Sequence, residues 1–476
     1  MSPVFSTVVA SAPTGVSLSF SNGDTLHLLL TLSVLLVAVH SVGFLFVKLR
    51  QPRVAGEIIA GLALGPTLLG LLRPDLSHQL IAGSASTTAV LGAIYQLGQL
   101  LLMYCAGATL RSHRRRGEGR TTSLIALIGN LIPFAAGAAF LLVLNPGGLI
   151  GSAANHTSLL IVFSCGIAVT SIPVISRILV DLGLMRTAFA RMVLTVALID
   201  DVVLYVLLSI AVGLVATPST DRFALPSLLS IHPGSALSDA YYVIVSIAIF
   251  GLPLAFGRSL VEKMGALRFN FLGRGNALAF QIVFMLVMTS ITLFLGISPI
   301  FGAFVAGILA GTLSTSEEEG GTVSIDAVRA QASIQSFSFA FFIPIYFAIV
   351  GLKLDLIHQF DIPFFAAFLV YACLVKALSV YSGARVAGEG RESAINLAMA
   401  LNARGGPAIV MASVAFDAHI ISQKFYVDLV LLALVTSMMA GAWLDRVLRK
   451  GTFFEDAQHP SRVVTDGFPS RGEVVA

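Results

Sequence analysis

The chain has 476 residues, of which 56% are hydrophobic and only 11% are charged. Because soluble domains carry about 25% charged residues, this composition excludes a soluble cytosolic enzyme and an intrinsically disordered chain. The formal net charge of +4 is spread over the whole length, so it marks no nucleic-acid-binding domain and no nucleic-acid partner is expected. The three cysteines all lie in apolar runs and predict neither a disulfide framework nor a metal cluster.

Apolar runs of about 20 residues, the length that crosses a bilayer, recur along the chain. Bounded by charges or by Gly, Pro and Asn clusters, they predict about thirteen transmembrane helices and an all-α polytopic membrane protein. Residues 1–26 then form a short extracytoplasmic N-terminus, 27–448 the transmembrane domain and 449–476 a short cytoplasmic tail. The predicted spans are, in chain order, 27–47, 54–72, 87–110, 122–144, 157–180, 188–215, 238–257, 276–296, 298–314, 333–352, 363–385, 393–416 and 425–445.

Lysine and arginine are concentrated in alternate connections between the predicted spans. The first two basic connections carry Lys48, Arg50 and Arg53, then Arg111, Arg114, Arg115, Arg116 and Arg120. Because cytoplasmic loops carry the excess of positive residues, the N-terminus is predicted outside and the C-terminus inside. The tail is shorter than the roughly 100 residues of a typical folded domain, so no attached nucleotide-binding domain is expected.

Two adjacent carboxylates, Asp200 and Asp201, lie in the middle of the apolar run MVLTVALIDDVVLYVLL. An ionisable group at this depth is costly and therefore indicates function. Successive helix residues point about 100° apart, so the two side chains cannot share one face. Desolvation and mutual repulsion favour the protonated form of at least one, as proton transport requires.

Lys376 lies equally deep, in FFAAFLVYACLVKALSVYSGAR, and is predicted to be the buried charge partner of these carboxylates. For Asp200, a purely structural ion pair with this lysine is an alternative to a direct part in ion binding. Lys353, by contrast, lies at the end of a span beside Asp355 and is predicted to be an interfacial anchor.

Two predicted spans contain sequences that interrupt a helix. The first, SCGIAVTSIPVISRIL, places Thr170, Ser171 and Pro173 at mid-membrane depth. The second, NLAMALNARGGPAIVMASVAF, does the same with Asn402, Arg404, Gly405, Gly406 and Pro407. Unwound backbone at this depth lines a cavity or is buried in protein, and a pair of interrupted helices indicates the ion site of a transporter.

Four stretches resemble the cation:proton antiporter family, in the branch of bacterial sodium/proton and potassium/proton exchangers and plant cation/proton exchangers. They read GEIIAGLALGPTLLG at 56–70, AVTSIPVISRILVDLGL at 168–184, ALIDDVVLYVLL at 197–208 and FFIPIYFAIVGLKLDL at 341–356. Their order and spacing match the family over residues 27–448.

The resemblance implies two inverted repeats in a bacterial plasma membrane, with a dimerisation domain and a mobile core domain that moves like an elevator. A homodimer in membrane lipid, with a monovalent cation and protons as substrates and no cofactor, is also implied. By the same resemblance, Asp201 is the shared site for cation and proton, Asp200 its companion and Lys376 the lysine of electrogenic members. Thr170, beside Ser171 at the first break, helps Asp201 to hold Na⁺ or K⁺.

One departure from the family lies at the second break. Many relatives read Arg-Gly-Glu where this chain reads Arg404, Gly405 and Gly406, so no carboxylate is expected to act there. Glu57 belongs to a family motif, but an acid in the first turn of a helix is favoured by the helix dipole. A capping role is therefore preferred to ion binding for Glu57.

These features predict a secondary antiporter, not an enzyme, that exchanges a monovalent cation, with Na⁺ preferred, for protons by alternating access, and that is electrogenic. A potassium/proton exchanger or an electroneutral exchanger is the alternative within the family. A passive cation channel would instead need a pore ring contributed by several subunits or loops. An intramembrane aspartyl protease would need two carboxylates opposed across a gap, whereas these two are adjacent on one helix.

Overall fold

Helices make up almost all of the computed structural model, which describes residues 21–49, 51–110, 119–144, 147–185, 187–215, 224–229, 236–266, 276–314 and 325–449. Within these residues, nine helices are long and apolar enough to cross a membrane. The all-α polytopic class is therefore confirmed. Most of the predicted N-terminal segment, the tail beyond Arg449 and the basic connection around Arg114 lie outside the described residues.

The described helices follow one another with short connections. In chain order they are α1 (Asn22–Lys48), α2 (Arg53–Leu64), α3 (Leu69–Leu72), α4 (Pro74–Ala82), α5 (Ala85–Leu110), α6 (Gly119–Leu144), α7 (His156–Ala168), α8 (Ile172–Asp181), α9 (Ala188–Gly213), α10 (Leu225–Leu228), α11 (Ala236–Ala266), α12 (Ala277–Phe294), α13 (Pro299–Ser314), α14 (Ile325–Phe337), a π-helical turn (Ser338–Phe342), α15 (Ile343–Leu352), α16 (Ile362–Val386), α17 (Arg391–Ala400), α18 (Gly406–Asp417) and α19 (Gln423–Arg449).

Short polar residues start several of these helices. The side chains of Ser21, Asn155, Thr187 and Asp361 each accept a hydrogen bond from a backbone amide in the first turn of α1, α7, α9 and α16. Such caps satisfy amides that have no partner within the helix. The predicted span 54–72 coincides with the apolar span Arg53–Leu72, but this span is not one continuous helix. Helix α2 ends at Leu64, and Gly65 and the following proline separate it from the short α3.

Two helices are interrupted near their middle, and the two interruptions contact each other. The segment between α7 and α8 is extended at Val169, and the segment between α17 and α18 is non-helical from Leu401 to Gly405. The amide of Ser171 donates to the Ala403 carbonyl at 2.9 Å, which joins the two crossing segments.

The helices pack as two bundles that meet beside these interruptions. The site bundle consists of α6–α9 and α16–α19, and the scaffold bundle consists of α1, α2, α5 and α11–α15 with the π-helical turn. Polar residues are concentrated in the interior of the site bundle, where Lys376 and Arg404 are both fully buried.

Glycines allow close crossings within the scaffold bundle, as is common between membrane helices. A Cβ atom on Gly107 of α5 would overlap the Phe304 carbonyl of α13, and one on Gly307 of α13 would overlap the Tyr104 carbonyl of α5. These reciprocal contacts bring the two backbones together, so a side chain at either position would separate them.

We expect Gly107→Ala to destabilise the protein by about 1–3 kcal/mol, the usual cost of overpacking a tight contact. Gly92→Ala is the matched control, because it lies on the same helix and a Cβ atom there meets nothing within 4 Å. Thermal unfolding of the purified variants in detergent compares them. Equal melting temperatures would show that the close crossing of α5 and α13 contributes little.

Candidate functional site

Lys376 forms an ion pair inside the site bundle with Asp200, as the sequence predicts for one of the two carboxylates. Its Nζ lies 3.0 Å from Asp200 Oδ2, and the two side chains are 0% and 1% exposed. The ammonium group also donates to the carbonyls of Gly129, at 3.0 Å, and Ala168. Asn130 Nδ2 donates to the other oxygen of Asp200 at 2.6 Å. The charge of Asp200 is thus compensated by a fully bonded lysine.

Asp201 faces a different environment from its neighbour, because successive residues of α9 point in different directions. It is only 2% exposed. The backbone amide of Ile172, the first residue of α8, donates to its carboxylate, while Oδ1 has no hydrogen-bond partner. A helix N-terminus carries partial positive charge, so it stabilises a carboxylate at this point. Among the described residues no ion pair involves Asp201, so one oxygen is available to a cation or a proton.

Thr170 and Ser171 lie in the extended chain between α7 and α8, but their hydroxyls differ. Thr170 Oγ1 donates to the Leu401 carbonyl at 2.7 Å and so connects the two interruptions. Ser171 Oγ is buried and has no hydrogen-bond partner. Ser171 directly precedes Ile172, whose amide contacts Asp201, so its free hydroxyl is the better candidate for a further oxygen ligand.

Arg404 occupies the crossing point and is held by carbonyl groups. It is 0% exposed and donates to Gly166 O at 3.1 Å, Ile167 O at 2.8 Å and Ala372 O at 3.0 Å. The first two belong to the last turn of α7, where helix carbonyls lack partners and the dipole is negative. Arg404 therefore neutralises the carboxyl end of this half-helix, and among the described residues it forms no ion pair with Asp201.

The remaining residues of the second interruption position its backbone. Asn402 Nδ2 donates to the Cys373 carbonyl at 2.9 Å, and its Oδ1 accepts from Arg404 at 2.7 Å. A Cβ atom on Gly405 would overlap the side chain of Val174, so only glycine fits. Gly406 and Pro407 begin α18, and Pro173 likewise lies in the first turn of α8. Proline is tolerated there because first-turn amides need no helical partner.

A cavity of about 360 Å³ separates the two bundles on one side of Asp201. Scaffold residues Arg53 and Met103 line it opposite Ile172, Tyr205 and Val410 of the site bundle. Because Ile172 contacts Asp201, this cavity leads towards the carboxylate from the end of the molecule that carries Arg53. A second cavity, of about 490 Å³, reaches Asp200 and Asn130 between α6 and α9 but has an almost wholly apolar lining.

Three further residues of the site bundle were not expected from the sequence: Asn130, Asp428 and Tyr205. Asn130 was detectable as a polar side chain in the apolar run LIALIGNLIPF, but nothing in its spacing linked it to Asp200. Asp428 is fully buried with no hydrogen-bond partner for either oxygen, although its place near the start of a span resembled an interfacial position. The capping role expected for Glu57 is wrong, because no acid lies in the first turn of α2; Glu57 is buried and pairs with Arg53 at 3.1 Å. Nothing in the sequence indicated that Tyr205 would line the cavity, because aromatic residues are common in such spans.

Comparison with known proteins identifies the fold and its family. The profile described as "Sodium/hydrogen exchanger, transmembrane" matches residues 31–450. The chain belongs to this family. A solved structure of the sodium proton antiporter MjNhaP1 from Methanocaldococcus jannaschii has the same fold, with a TM-score of 0.61 at 15% identity over 90% of this chain and 99% of that one.

Curated relatives extend the match over nearly the whole membrane part. The Na(+)/H(+) antiporter NhaS4 of Synechocystis is 28% identical, and the alignment covers 89% of this chain and 98% of the relative. The Na(+)/H(+)-K(+) antiporter GerN of Bacillus cereus is 23% identical over 86% and 93%. The K(+)/H(+) antiporter 1 of Saccharomyces cerevisiae is 27% identical over 83% of this chain, which spans 43% of that relative.

Family membership makes the chain an integral membrane transporter and not an enzyme, as predicted. It also confirms the class of monovalent cation:proton antiporters, so the protease and passive-channel alternatives are set aside.

Proposed function

We propose that the chain exchanges Na⁺ for protons across the membrane and that the two ions compete for Asp201. One observation carries this proposal: of two adjacent buried carboxylates, only Asp201 keeps an oxygen without a partner, while Asp200 is neutralised by Lys376. A hard monovalent cation prefers oxygen ligands, by analogy with divalent hard ions. Protonation removes the negative charge of Asp201 and releases the cation.

The further ligands that we propose are oxygens of the first interruption. Ser171 contributes its unpartnered hydroxyl and Thr170 its backbone or the free lone pair of its hydroxyl. Binding either Na⁺ or a proton neutralises Asp201, which lowers the cost of moving the site past an apolar barrier. When neither ion is bound, Asp201 keeps its negative charge, so the empty site does not cross the apolar barrier and stays on the side that it faces.

Transport by this scheme requires the site to face each side of the membrane in turn. We propose that the helices make thirteen crossings and that the site bundle moves like an elevator against the scaffold bundle. From the positive-inside distribution we infer that Arg53, and with it the 360 Å³ cavity that it lines, lies at the cytoplasmic end and Lys353 at the opposite, extracytoplasmic end. The structure then corresponds to the state open to the cytoplasm.

The charge moved depends on Lys376. If Lys376 keeps its proton throughout, one Na⁺ replaces one proton at Asp201 and the exchange is electroneutral. We propose instead that arrival of Na⁺ also releases the proton of Lys376, so that two protons exchange for one Na⁺; the Na⁺-loaded site then carries the uncompensated charge of Asp200, which makes the exchange electrogenic. The resemblance to electrogenic family members supports this choice, and the full bonding of the ammonium represents the proton-loaded state.

Proteoliposomes with an imposed pH gradient test ion choice and electrogenicity together. We expect Na⁺ to dissipate the gradient, and the rate to change when the membrane potential is clamped. Potassium/proton exchange is the second candidate, because relatives from yeast and Bacillus cereus are named for K⁺. Dissipation of the pH gradient by K⁺ but not by Na⁺ would favour that candidate. An exchange rate that does not change with the membrane potential would favour electroneutral exchange.

The hydroxyl of Ser171 provides a test of the ligand set. We expect Ser171→Ala to raise the KM for Na⁺ by about tenfold or more, the effect of losing one polar contact to a charged ligand. Ser164→Ala is the matched control, because Ser164 is equally buried and unpartnered but lies within α7, away from the interruption. Proton flux measured against Na⁺ concentration compares them. An unchanged KM in Ser171→Ala would exclude its hydroxyl as a ligand.

A further inference from the structure

The two bundles are apart at one end of their interface and in contact at the other. At the end opposite the cavity, Asp417 of the site bundle contacts two scaffold residues. Lys353 Nζ lies 2.8 Å from Asp417 Oδ1, and Tyr95 OH donates to Asp417 Oδ2 at 2.9 Å. We call Asp417, Lys353 and Tyr95 the end latch. The ammonium group of Lys353 also lies 4.1 Å from the centre of the Tyr95 ring. Lys353 thus pairs across the bundle interface and not with Asp355, which instead contacts His358.

Three buried polar side chains lie beside the end latch, and we call them the polar seam: Gln99, Tyr346 and Ser413. Gln99 and Ser413 lie one helical turn from Tyr95 and Asp417, and the ring of Tyr346 stacks on that of Tyr95 at 5.2 Å. Gln99, Tyr346 and Ser413 are 5%, 0% and 0% exposed. Gln99 Nε2, Tyr346 OH and Ser413 Oγ all lack a hydrogen-bond partner. Ser413 and Gln99 both lie within reach of the Tyr346 hydroxyl, but none of these contacts has the distance and angles of a well-formed hydrogen bond.

Helical periodicity places the seam between the end latch and the cavity. On α5, residues 95, 99 and 103 repeat every four positions and therefore share a face. Tyr95 belongs to the end latch, Gln99 to the seam and Met103 to the cavity lining. On α18 the order Asp417, Ser413 and Val410 repeats the same sequence of layers.

A cluster of buried polar groups without well-formed hydrogen bonds at a closed interface needs a physical reason. Buried polar atoms are nearly always hydrogen-bonded, and an apolar interface would pack more favourably here. These groups lie on both bundles, so separating the bundles at this end would expose all three to water at once. Their chemistry therefore fits the open state better than the closed one.

We propose that the polar seam is the closed extracytoplasmic route to Asp201 and that the end latch holds it shut. This inference rests on the proposed function, because it concerns how the same site reaches the second side. The substrate that the seam accommodates is a hydrated monovalent cation, for which the oxygens of Tyr346, Ser413 and Gln99 replace bulk water. When the latch separates, Asp417 is left unpaired at the mouth and attracts cations.

The exposure of the latch suits a contact that breaks in every transport cycle. The side chains of Lys353 and Asp417 are 29% and 39% exposed. Exposed pairs contribute little to stability, so this one opens at low cost, unlike the buried pair of Lys376 and Asp200. Removing Lys353 should therefore shift the population towards the open route without unfolding the protein.

Labelling of introduced cysteines tests this proposal. Purified Ser413→Cys and Gln99→Cys proteins in lipid nanodiscs, where both membrane faces are accessible, are treated with a cationic methanethiosulfonate reagent. We expect Lys353→Met to raise the labelling rate of both cysteines by about threefold to fivefold, the population change that loss of an exposed pair gives. Labelling of the unmutated chain gives the contribution of its native cysteines, and labelling of Ser164→Cys gives the rate at a buried position away from the seam.

Lys424→Met is the matched control for the latch. Lys424 pairs with Asp361 at 2.9 Å at the same end of the molecule, with side chains 29% and 41% exposed, but both residues belong to the site bundle. The variant Lys424→Met should therefore leave the labelling rates of both seam cysteines unchanged. Two outcomes would overturn the proposal. In the first, both seam cysteines are labelled no faster than the cysteine of Ser164→Cys, with or without Lys353→Met. In the second, Lys424→Met accelerates the labelling as much as Lys353→Met does.

Exchange assays on the same variants in liposomes keep this test separate from the proposed function. If the variants exchange cations for protons while the seam cysteines stay unreactive, the seam is not the route and the proposed function stands. If the unmutated chain itself exchanges no cation for protons, the proposed function fails whatever the labelling shows. Two probes on opposite bundles ensure that a folding defect in one leaves the other informative.

Discussion

Replacing Asp201 with asparagine is expected to abolish cation-dependent proton movement in proteoliposomes. Asparagine keeps the size of the side chain and can still accept a hydrogen bond from the Ile172 amide. It cannot take up a proton and offers a cation no negative charge. Exchange is measured as Na⁺-induced dissipation of an imposed pH gradient, and the flux should fall to the level of liposomes without protein.

Two carboxylate controls separate the role of Asp201 from general effects. Asp445→Asn removes a carboxylate from the last turns of α19, where Asp445 pairs with Arg449 at 2.9 Å, and should leave exchange unchanged. Asp200→Asn alters the residue directly before Asp201, and we expect it to retain exchange but to lose the response to membrane potential. Substantial flux in Asp201→Asn, or equal loss in both site variants, would contradict the assignment of the shared site to Asp201.

Replacing Lys376 with methionine is expected to destabilise the protein by about 3–5 kcal/mol, because it leaves the carboxylate of Asp200 buried without its cation. The side chains of this pair are 0% and 1% exposed, so water cannot replace the lost partner. Asn130 remains as a hydrogen-bond donor to Asp200, but a neutral amide compensates no charge. The loss is measured by thermal unfolding of the purified variants in detergent.

Two further variants show whether charge or packing causes this loss. Lys424→Met breaks a pair whose side chains are 29% and 41% exposed, and should cost less than about 1 kcal/mol. The double variant Asp200→Asn/Lys376→Met removes both buried charges and should recover much of the stability that Lys376→Met loses. If Lys376→Met unfolds at the temperature of Lys424→Met, the buried ion pair does not stabilise the site bundle.

The sequence was most informative where membrane physics leaves few choices. The cost of burying a charge in lipid singled out Asp200, Asp201 and Lys376 from an otherwise apolar chain, and the same three occupy the interior of the site bundle. The breaks were detectable because Gly and Pro disfavour continuous helix. The all-α class and the transporter family followed from composition, span length and the resemblance of four stretches.

The contacts between distant segments could not be predicted. Which carboxylate pairs with Lys376 depends on how α9 is rotated against α16, and no pattern along the chain encodes that angle. Lys353 illustrates the same limit: beside Asp355 in sequence, it contacts Asp417, 64 residues away. The difference between Thr170 and Ser171, one hydroxyl bonded and one free, likewise arises only when the two interruptions cross.

Sodium binding measured against pH tests the central claim, competition of cation and proton for Asp201, most directly. Calorimetry on purified protein gives the apparent dissociation constant for Na⁺ at several pH values, with Asp201→Asn as the control that should bind no Na⁺. In the acidic range this constant should rise with each unit by which the pH is lowered, by about tenfold where only the proton of Asp201 is released and by up to about a hundredfold where that of Lys376 is released as well. An Na⁺ affinity that is independent of pH would contradict the shared site.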